Sequence, residues 1–217
     1  MPSPLIIAPA LQVRKLSFAY PDQAPLFVDW NADLAHGVTL LQGDIGSGKT
    51  TLLRLLAGEL PGSGELTLSG RRLGDDPEGY RRNLCWFNPR DAAFDAMTPA
   101  RLMEAQRALH PGFDQAAWRR HLTGFDLEPH LAKPLYALST GSRRKAGLAV
   151  ALSVGCGLTL LDEPAAGLDA ASVRYLSAAL AGLARHPQRA LLVVDAEGLE
   201  PVPGAGTLRL AGSPNRG

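Results

Sequence analysis

The chain has 217 residues, with 22 Lys and Arg against 21 Asp and Glu for a formal net charge of +1. That length is enough for one large domain, or one domain with an insertion, to bury roughly 70% of its unfolded surface without staples. Apolar and charged fractions of 46% and 20% argue against disorder. The balanced charge argues against a chain held to nucleic acid or anionic lipid by bulk charge.

In chain order, Leu11–Tyr20 alternates, slips at Arg14-Lys15 and resumes at Leu16, which predicts a bulged strand. Val28, Trp30, Ala32 and Leu34 alternate with Asp29, Asn31 and Asp33, predicting a second strand with one solvated face. Gly37–Gln42 reads as a more continuous apolar strand, followed by a helix over Thr50–Leu56 and an alternating strand at Glu65–Ser69. Thr98-Pro99 has the form of an N-cap with proline at the first helical position, opening a helix to about Leu109 that His110-Pro-Gly breaks. Trp118, Leu122 and Phe125 fall on one helical face. A helix from Ser139, a buried strand at Leu158–Leu161, a helix presenting Val173, Leu176, Leu180 and Leu183, and a strand at Ala190–Val194 follow. This alternation predicts a parallel sheet with right-handed crossovers.

Cys85 and Cys156 each lie in an apolar stretch and read as reduced buried thiols, which fits a cytosolic compartment. Pro2 and Pro4 interrupt the N-terminus, so no signal peptide is expected. The longest apolar stretch, Ala146–Leu161, is broken by Ser153, Gly155 and Gly157 and is too short to span a bilayer comfortably. A soluble chain is expected, with any membrane role carried by a partner.

Gly43-Asp-Ile-Gly-Ser-Gly-Lys-Thr50 is a complete G-x-x-x-x-G-K-[ST] between a predicted strand and a predicted helix. Its glycines let backbone N–H groups converge on phosphates, Lys49 brings a charge to the β/γ-phosphates, and the Thr50 hydroxyl can ligate Mg²⁺. Leu158-Thr-Leu-Leu-Asp162-Glu163 is a buried strand ending in two acids. At its carboxyl end Asp162 is placed to hold Mg²⁺ through water, and Glu163 to act as general base on the attacking water. Leu138-Ser-Thr-Gly-Ser-Arg-Arg-Lys145 opens a helix with Ser139 as its N-cap. Arg143-Arg-Lys145 reads as a solvated face or as support for bound phosphate, not as a nucleic-acid site.

Together with Leu161-Asp-Glu-Pro-Ala-Ala-Gly-Leu-Asp169, these motifs make the chain resemble the nucleotide-binding subunits of ATP-binding cassette (ABC) transporters over residues 11 to 210. The resemblance implies an α/β P-loop NTPase of ABC ATPase type. That fold has a mixed parallel core sheet, an N-terminal antiparallel β-subdomain (both within 11–89 and 139–211), a helical subdomain inserted at 90–138, and a tail at 212–217. It implies ATP and Mg²⁺ as ligands and head-to-tail pairing with a second cassette, in a homodimer or heterodimer. It also implies a separate membrane subunit on the inner face of the cell membrane. Carried over by position, Gly43, Asp44, Ile45, Gly46, Ser47, Gly48, Lys49, Thr50 and Thr51 would cradle the nucleotide. Tyr20 would stack on adenine, its competing reading being a strand-end core aromatic. Ser139 and Gly141 would touch the partner's γ-phosphate, and Leu168-Asp169 would communicate across the dimer. Lys49 and Glu163 are the catalytic candidates, and Thr50 and Asp162 the metal candidates.

Several positions depart from the family's pattern. The signature LSGGQ here reads Leu-Ser-Thr-Gly-Ser, so Thr140 and Ser142 differ. The glutamine expected within Asn88-Pro-Arg-Asp91 is absent. The switch histidine is replaced at Val194-Asp195-Ala-Glu197, and none of the five histidines is nearby. A carboxylate at 195 is acceptor-only and repels a polyanion that histidine would donate to. Slow hydrolysis is therefore expected. The short insertion and the lack of a C-terminal extension look more like small exporter-type cassettes, including those of cytochrome c maturation and the ABC-2 class, than importers. The alternatives are a non-hydrolytic ATP-gated regulatory subunit and a soluble ABC protein outside transport. A P-loop GTPase is disfavoured, since the chain lacks an Asn-Lys-x-Asp run.

Overall fold

The computed structural model describes residues 8–88, 93–194 and 199–210. Two sheets organise it. In the first, β1 (Leu11–Phe18), β2 (Phe27–Leu34), β4 (Ser63–Leu68) and β5 (Arg71–Arg72) pair antiparallel in the order β2-β1-β4-β5. In the second, β3 (Gly37–Gln42), β6 (Leu84–Phe87), β7 (Leu158–Asp162), β8 (Ala190–Val194) and β9 (Gly206–Arg209) run in the order β6-β7-β8-β3-β9, with every pairing parallel.

Helix α1 (Lys49–Leu56) lies between the sheets. Its Leu52, Leu53, Leu55 and Leu56 share one core with Leu11, Val13 and Leu16 of β1 and with Leu158, Leu160, Leu192 and Val194 of the parallel sheet. The alternate residues Leu161, Leu191 and Val193 point the other way. They pack against α5 (Thr140–Ser153) and α6 (Ala170–Leu183). A parallel sheet covered on both faces needs strands without polar alternation, and β7 and β8 are buried at every residue. Helices α3 (Pro99–Leu109) and α4 (Gln115–Gly124) precede α5.

The expected bulge in β1 is present, with register shifts on either side of Leu16 and Lys15 in a left-handed conformation. The second strand differs from expectation. Val28 is 69% exposed and Phe27 is buried in its place. The cause is an extra residue in β2: Leu16 pairs with Trp30 but Phe18 with Phe27, and Asp29 takes a left-handed φ of 46° as its N–H donates to Ser17 Oγ. This bulge reverses the face presented by the first residues of the strand. The thiols of Cys85 and Cys156 are both free, and burial pushes Cys85 up to about 12. Thr98 caps α3 as expected, its hydroxyl accepting from Arg101 N–H, with Pro99 in the first turn. The expected tail beyond Ala211 lies outside the described residues.

One partly buried polar contact ties α4 to α6. Tyr175 Oη donates to the Arg120 carbonyl (3.1 Å), so His121 Nδ1–H must be the donor in the 2.8 Å bond to the same oxygen. The Tyr175 ring also meets Phe125 edge-on, and it lies where a side chain on Gly124 would stand, 2.0 Å from the position of a Cβ there. Burial, reinforced by Arg120 and Arg189 against the weaker pull of Asp114, lowers His121 from its ordinary 6.5 to about 4. The unfolded chain therefore binds this proton at a higher pH than the folded one. Stability from a neutral His121 is complete above about pH 6.5 and is lost as pH falls through about 4. The loss is on the order of 3 kcal/mol. Denaturant melts between pH 7 and 4 should show a one-proton loss of stability over this interval, and His121→Gln should remove it.

Candidate functional site

Strand register brings the motifs to one edge. Leu41 of β3 and Asp162 of β7 both lie opposite Val194 of β8, so the three strands end at one level. The loop from Gly43 to Gly48 leaves β3 and feeds α1, turning through left-handed glycines at Gly46 (φ 79°) and Gly48 (φ 92°), with Ser47 N–H donating to the Asp44 carbonyl. Ile45 is at the exposed tip. Lys49, the first residue of α1, is 9% exposed and donates Nζ–H to the carbonyls of Gly43 (2.6 Å) and Asp44 (2.9 Å). The loop is wrapped around the ammonium. Ser47 Oγ is buried with no hydrogen-bond partner among the described residues.

Thr50 Oγ1 donates to Asp162 Oδ2 at 3.0 Å, joining residues 112 positions apart in sequence. A hydroxyl and a buried carboxylate at one point are hard oxygen donors of the kind Mg²⁺ takes, and the free N–H groups of the α1 N-terminus lie beside them. The residues present therefore fit both a polyphosphate and its cation. Tyr20 is half-buried, its Oη bonded to Thr51 Oγ1 (3.1 Å) and its ring edge-on to Phe18 at 4.9 Å. This places an aromatic ring next to the phosphate loop.

Glu163 follows β7 with its side chain exposed and its backbone left-handed at φ 44°. Its N–H donates to the Val194 carbonyl, and its own carbonyl accepts from Ala166 N–H and, at 2.6 Å, from Arg144 Nη1. Ser139 caps α5, accepting from Ser142 N–H and donating to Ser142 Oγ. The Ser139–Gly141 segment does not join the phosphate loop. Gly141 sits against the Gly167 carbonyl, and Thr140 lines a separate cavity of about 350 Å³ beside Phe87, Asn88 and Arg143.

The Arg143-Arg-Lys145 run is not a solvated face. All three side chains reach partners: Arg143 to Asp95, Arg144 to the Glu163 carbonyl, and Lys145 to Asp169. The bond to Lys145, with Ser172 N–H behind it, holds the Asp169 carboxyl well below the usual carboxylate range. Burial lowers Arg144, opposed by the nearby Glu163 and Asp162 carboxylates. Nothing in the sequence signalled these partners, since each lies on another loop. Pro89, Arg90 and Asp91 of the expected glutamine segment, and Asp195 and Glu197 of the switch segment, lie outside the described residues.

A glycine-rich strand-loop-helix of this kind, joined to an acid pair at the end of a strand one removed in the sheet, defines a nucleoside-triphosphate-binding domain. Residues 29–166 match the family model for ABC transporters. The chain is 39% identical over 194 residues to the cytochrome c biogenesis ATP-binding export protein CcmA of Alkalilimnicola ehrlichii, covering 88% of this chain and 80% of that one. It is 34% identical over 196 residues to the protein of the same name from Pseudomonas fluorescens, covering 89% of each. A solved structure described as the ATP-binding subunit of an ABC transporter shares the fold, with a TM-score of 0.75 at 24% identity over 86% of this chain and 80% of that one. The chain belongs to the ABC transporter family, as a nucleotide-binding subunit. Among the described residues no helix is long and apolar enough to cross a membrane.

Gly48 tests the loop geometry. A side chain there would be held at φ 92° with its Cβ 2.8 Å from Leu26 Cδ2. Left-handed backbone costs a non-glycine residue about 1–2 kcal/mol. Gly48→Ala should lower the thermal midpoint by about 2–8 °C and weaken binding of a fluorescent ATP analogue at least tenfold, as equilibrium titration would show.

Proposed function

We propose that this chain binds Mg-ATP at the Gly43–Thr51 loop and hydrolyses it as one cassette of a head-to-tail dimer. The energy would move a substrate outward through a separate membrane subunit. The observation that carries this reading is the Thr50–Asp162 bond, which fixes the phosphate loop against the acid-bearing strand. Lys49 neutralises the β/γ-phosphates, Tyr20 faces the base, and Ser139 and Gly141 serve the partner cassette's nucleotide. Glu163 takes the proton of the water that attacks the γ-phosphorus. Mg²⁺ held by Thr50 and, through water, by Asp162 would supply charge neutralisation at the phosphate oxygens. Similarity to proteins named for export in cytochrome c biogenesis supports an export role, with the cassette sitting peripherally on the cytoplasmic face of its membrane partner. Residues 11–89 and 139–211 form the core and β-subdomain in this reading, and 90–138 the helical subdomain that meets the membrane subunit.

Turnover is slow in this reading because Asp195 stands where the family's histidine would donate to the γ-phosphate. At about 5 Å and an effective dielectric near 20, one like-charge pair costs on the order of 3 kcal/mol. Lys49 and Mg²⁺ offset part of it.

Lys49→Ala should abolish ATP binding. Glu163→Gln should leave ATP affinity within about twofold and lower turnover by about 100-fold or more, measured by phosphate release. Retention of wild-type turnover by Glu163→Gln would remove the general-base assignment. Asp195→His should raise turnover severalfold over the wild-type chain, and an unchanged or lower rate would sink the account of attenuation.

A further inference from the structure

Glu163 is held in an unfavourable backbone conformation, and a side chain from another element helps to hold it there. Its φ of 44° is left-handed, a region non-glycine residues rarely enter. The peptide groups on either side of its Cα are fixed by three bonds. The N–H donates to the Val194 carbonyl at 2.8 Å, and the carbonyl accepts from Ala166 N–H at 3.2 Å and from Arg144 Nη1 at 2.6 Å. The first ties Glu163 to β8, and the second is a local turn. The third, the shorter of the two at the carbonyl, reaches across from the second turn of α5. The two flanking basic residues hold the helix on either side of it, Arg143 at Asp95 (2.5 Å) and Lys145 at Asp169 (2.6 Å). Arg144 therefore has little freedom to follow Glu163 if that peptide rotates.

The direction of the carbonyl sets ψ of Glu163, and φ and ψ together with the side-chain rotamer aim its carboxylate. A guanidinium is a planar fork with a fixed donor direction, unlike the point charge of an ammonium. We infer that Arg144 is a positioning residue for hydrolysis, holding the Glu163 peptide so that its carboxylate points at the attacking water. The role rests on the general-base assignment of Glu163 made above. It gives Arg144 a function distinct from phosphate binding, since its described contact is with a backbone carbonyl behind the acid pair.

The test compares wild type with R144Q, R144K, E163Q and the double variant R144Q/E163Q. It uses steady-state and single-turnover hydrolysis of radiolabelled ATP, ATP affinity, and amide hydrogen exchange of the 162–169 peptide. R144Q should lower kcat by about 10- to 100-fold, the loss expected of a catalytic group displaced by about 1 Å, with KM and ATP affinity within about twofold. Exchange in 162–169 should rise while exchange across Ala146–Leu152 stays unchanged, which also shows that the helix remains folded. R144K, which keeps one donor for the carbonyl, should recover part of the rate. In the E163Q background R144Q should cost nothing further, because it acts through that residue. Three results would each overturn the assignment: unchanged kcat in R144Q, unchanged exchange in 162–169, or an equal loss of rate in the E163Q background. If E163Q turns over like wild type, the general base itself is misassigned. An inactive E163Q beside a fully active R144Q removes only Arg144.

Discussion

The in-register ends of β3, β8 and β7 set the positions of everything else at the site. Leu41 and Asp162 share Val194 as their partner, which leaves the phosphate loop and the acid pair leaving the sheet side by side. A slip of one residue would move one motif by about 3.3 Å, the rise of a strand residue, and the Thr50–Asp162 bond at 3.0 Å would not survive it. In a sheet with one wet face, such a slip would also be opposed by apolar side chains turning to water. Here β7 and β8 are buried on both faces, with Thr159 and Asp162 the only polar residues in them, so that penalty is weak. The register is instead pinned at the carboxyl end by polar groups, namely the Thr50 bond to Asp162 and the Glu163 N–H on the Val194 carbonyl. The residues given the chemistry in the proposed function are also the ones that fix the alignment of the sheet.

Local strain is concentrated next to this edge. Glycine relieves it at Gly46 and Gly48, in the loop proposed to take the phosphates. At 163 the left-handed turn carries a glutamate, the proposed general base, at a cost of about 1–2 kcal/mol. Each backbone hydrogen bond contributes net about 0.5–1.5 kcal/mol, so the three bonds that hold Glu163 are enough to offset it. A residue that breaks a local rule while its surroundings over-determine it is the pattern expected of a functional position.

The phosphate loop, its flanking strand and helix, the acid pair and the N-caps at Thr98 and Ser139 were all legible in the sequence, because each is a local pattern with a local cause. Short elements were not. Strands β5, β6 and β9 have two to four residues, too few for a period to register. Helix α2 (Pro77–Arg82) did carry a readable signal, an Asp76 cap before Pro77 like the Thr98-Pro99 pair, but it runs for less than two turns. What holds α2 is long-range: Tyr80, fully buried, donates to the Leu56 carbonyl at the end of α1. The face of β2 was misassigned at Val28 because alternation cannot reveal a bulge that only pairing with β1 creates. The partners of Arg143, Arg144 and Lys145 were illegible for the same reason, being brought together by the packing of α5 against the loops around β7 and α6.

The contacts of α6 differ in stiffness along its length. Asp169 at its start pairs with Lys145, an ion pair whose lysine is largely buried but whose carboxylate side chain is 56% exposed. With its acid in solvent the pair is screened in part, and exposed pairs contribute typically about 0.2–1 kcal/mol. Six residues on, roughly 9 Å along the helix, the half-buried Tyr175 meets the buried His121 and Phe125 and donates to the Arg120 carbonyl. Losing the partner of the buried imidazole leaves a desolvated polar group at about 1–3 kcal/mol. Movement between α5 and the start of α6 therefore meets less resistance than movement between α4 and the middle of α6. Gly124, whose missing side chain leaves room for the Tyr175 ring, makes that second contact close. If the two regions shift during a catalytic cycle, the Lys145–Asp169 link between α5 and the head of α6 should yield before the contact of Tyr175 with α4 does.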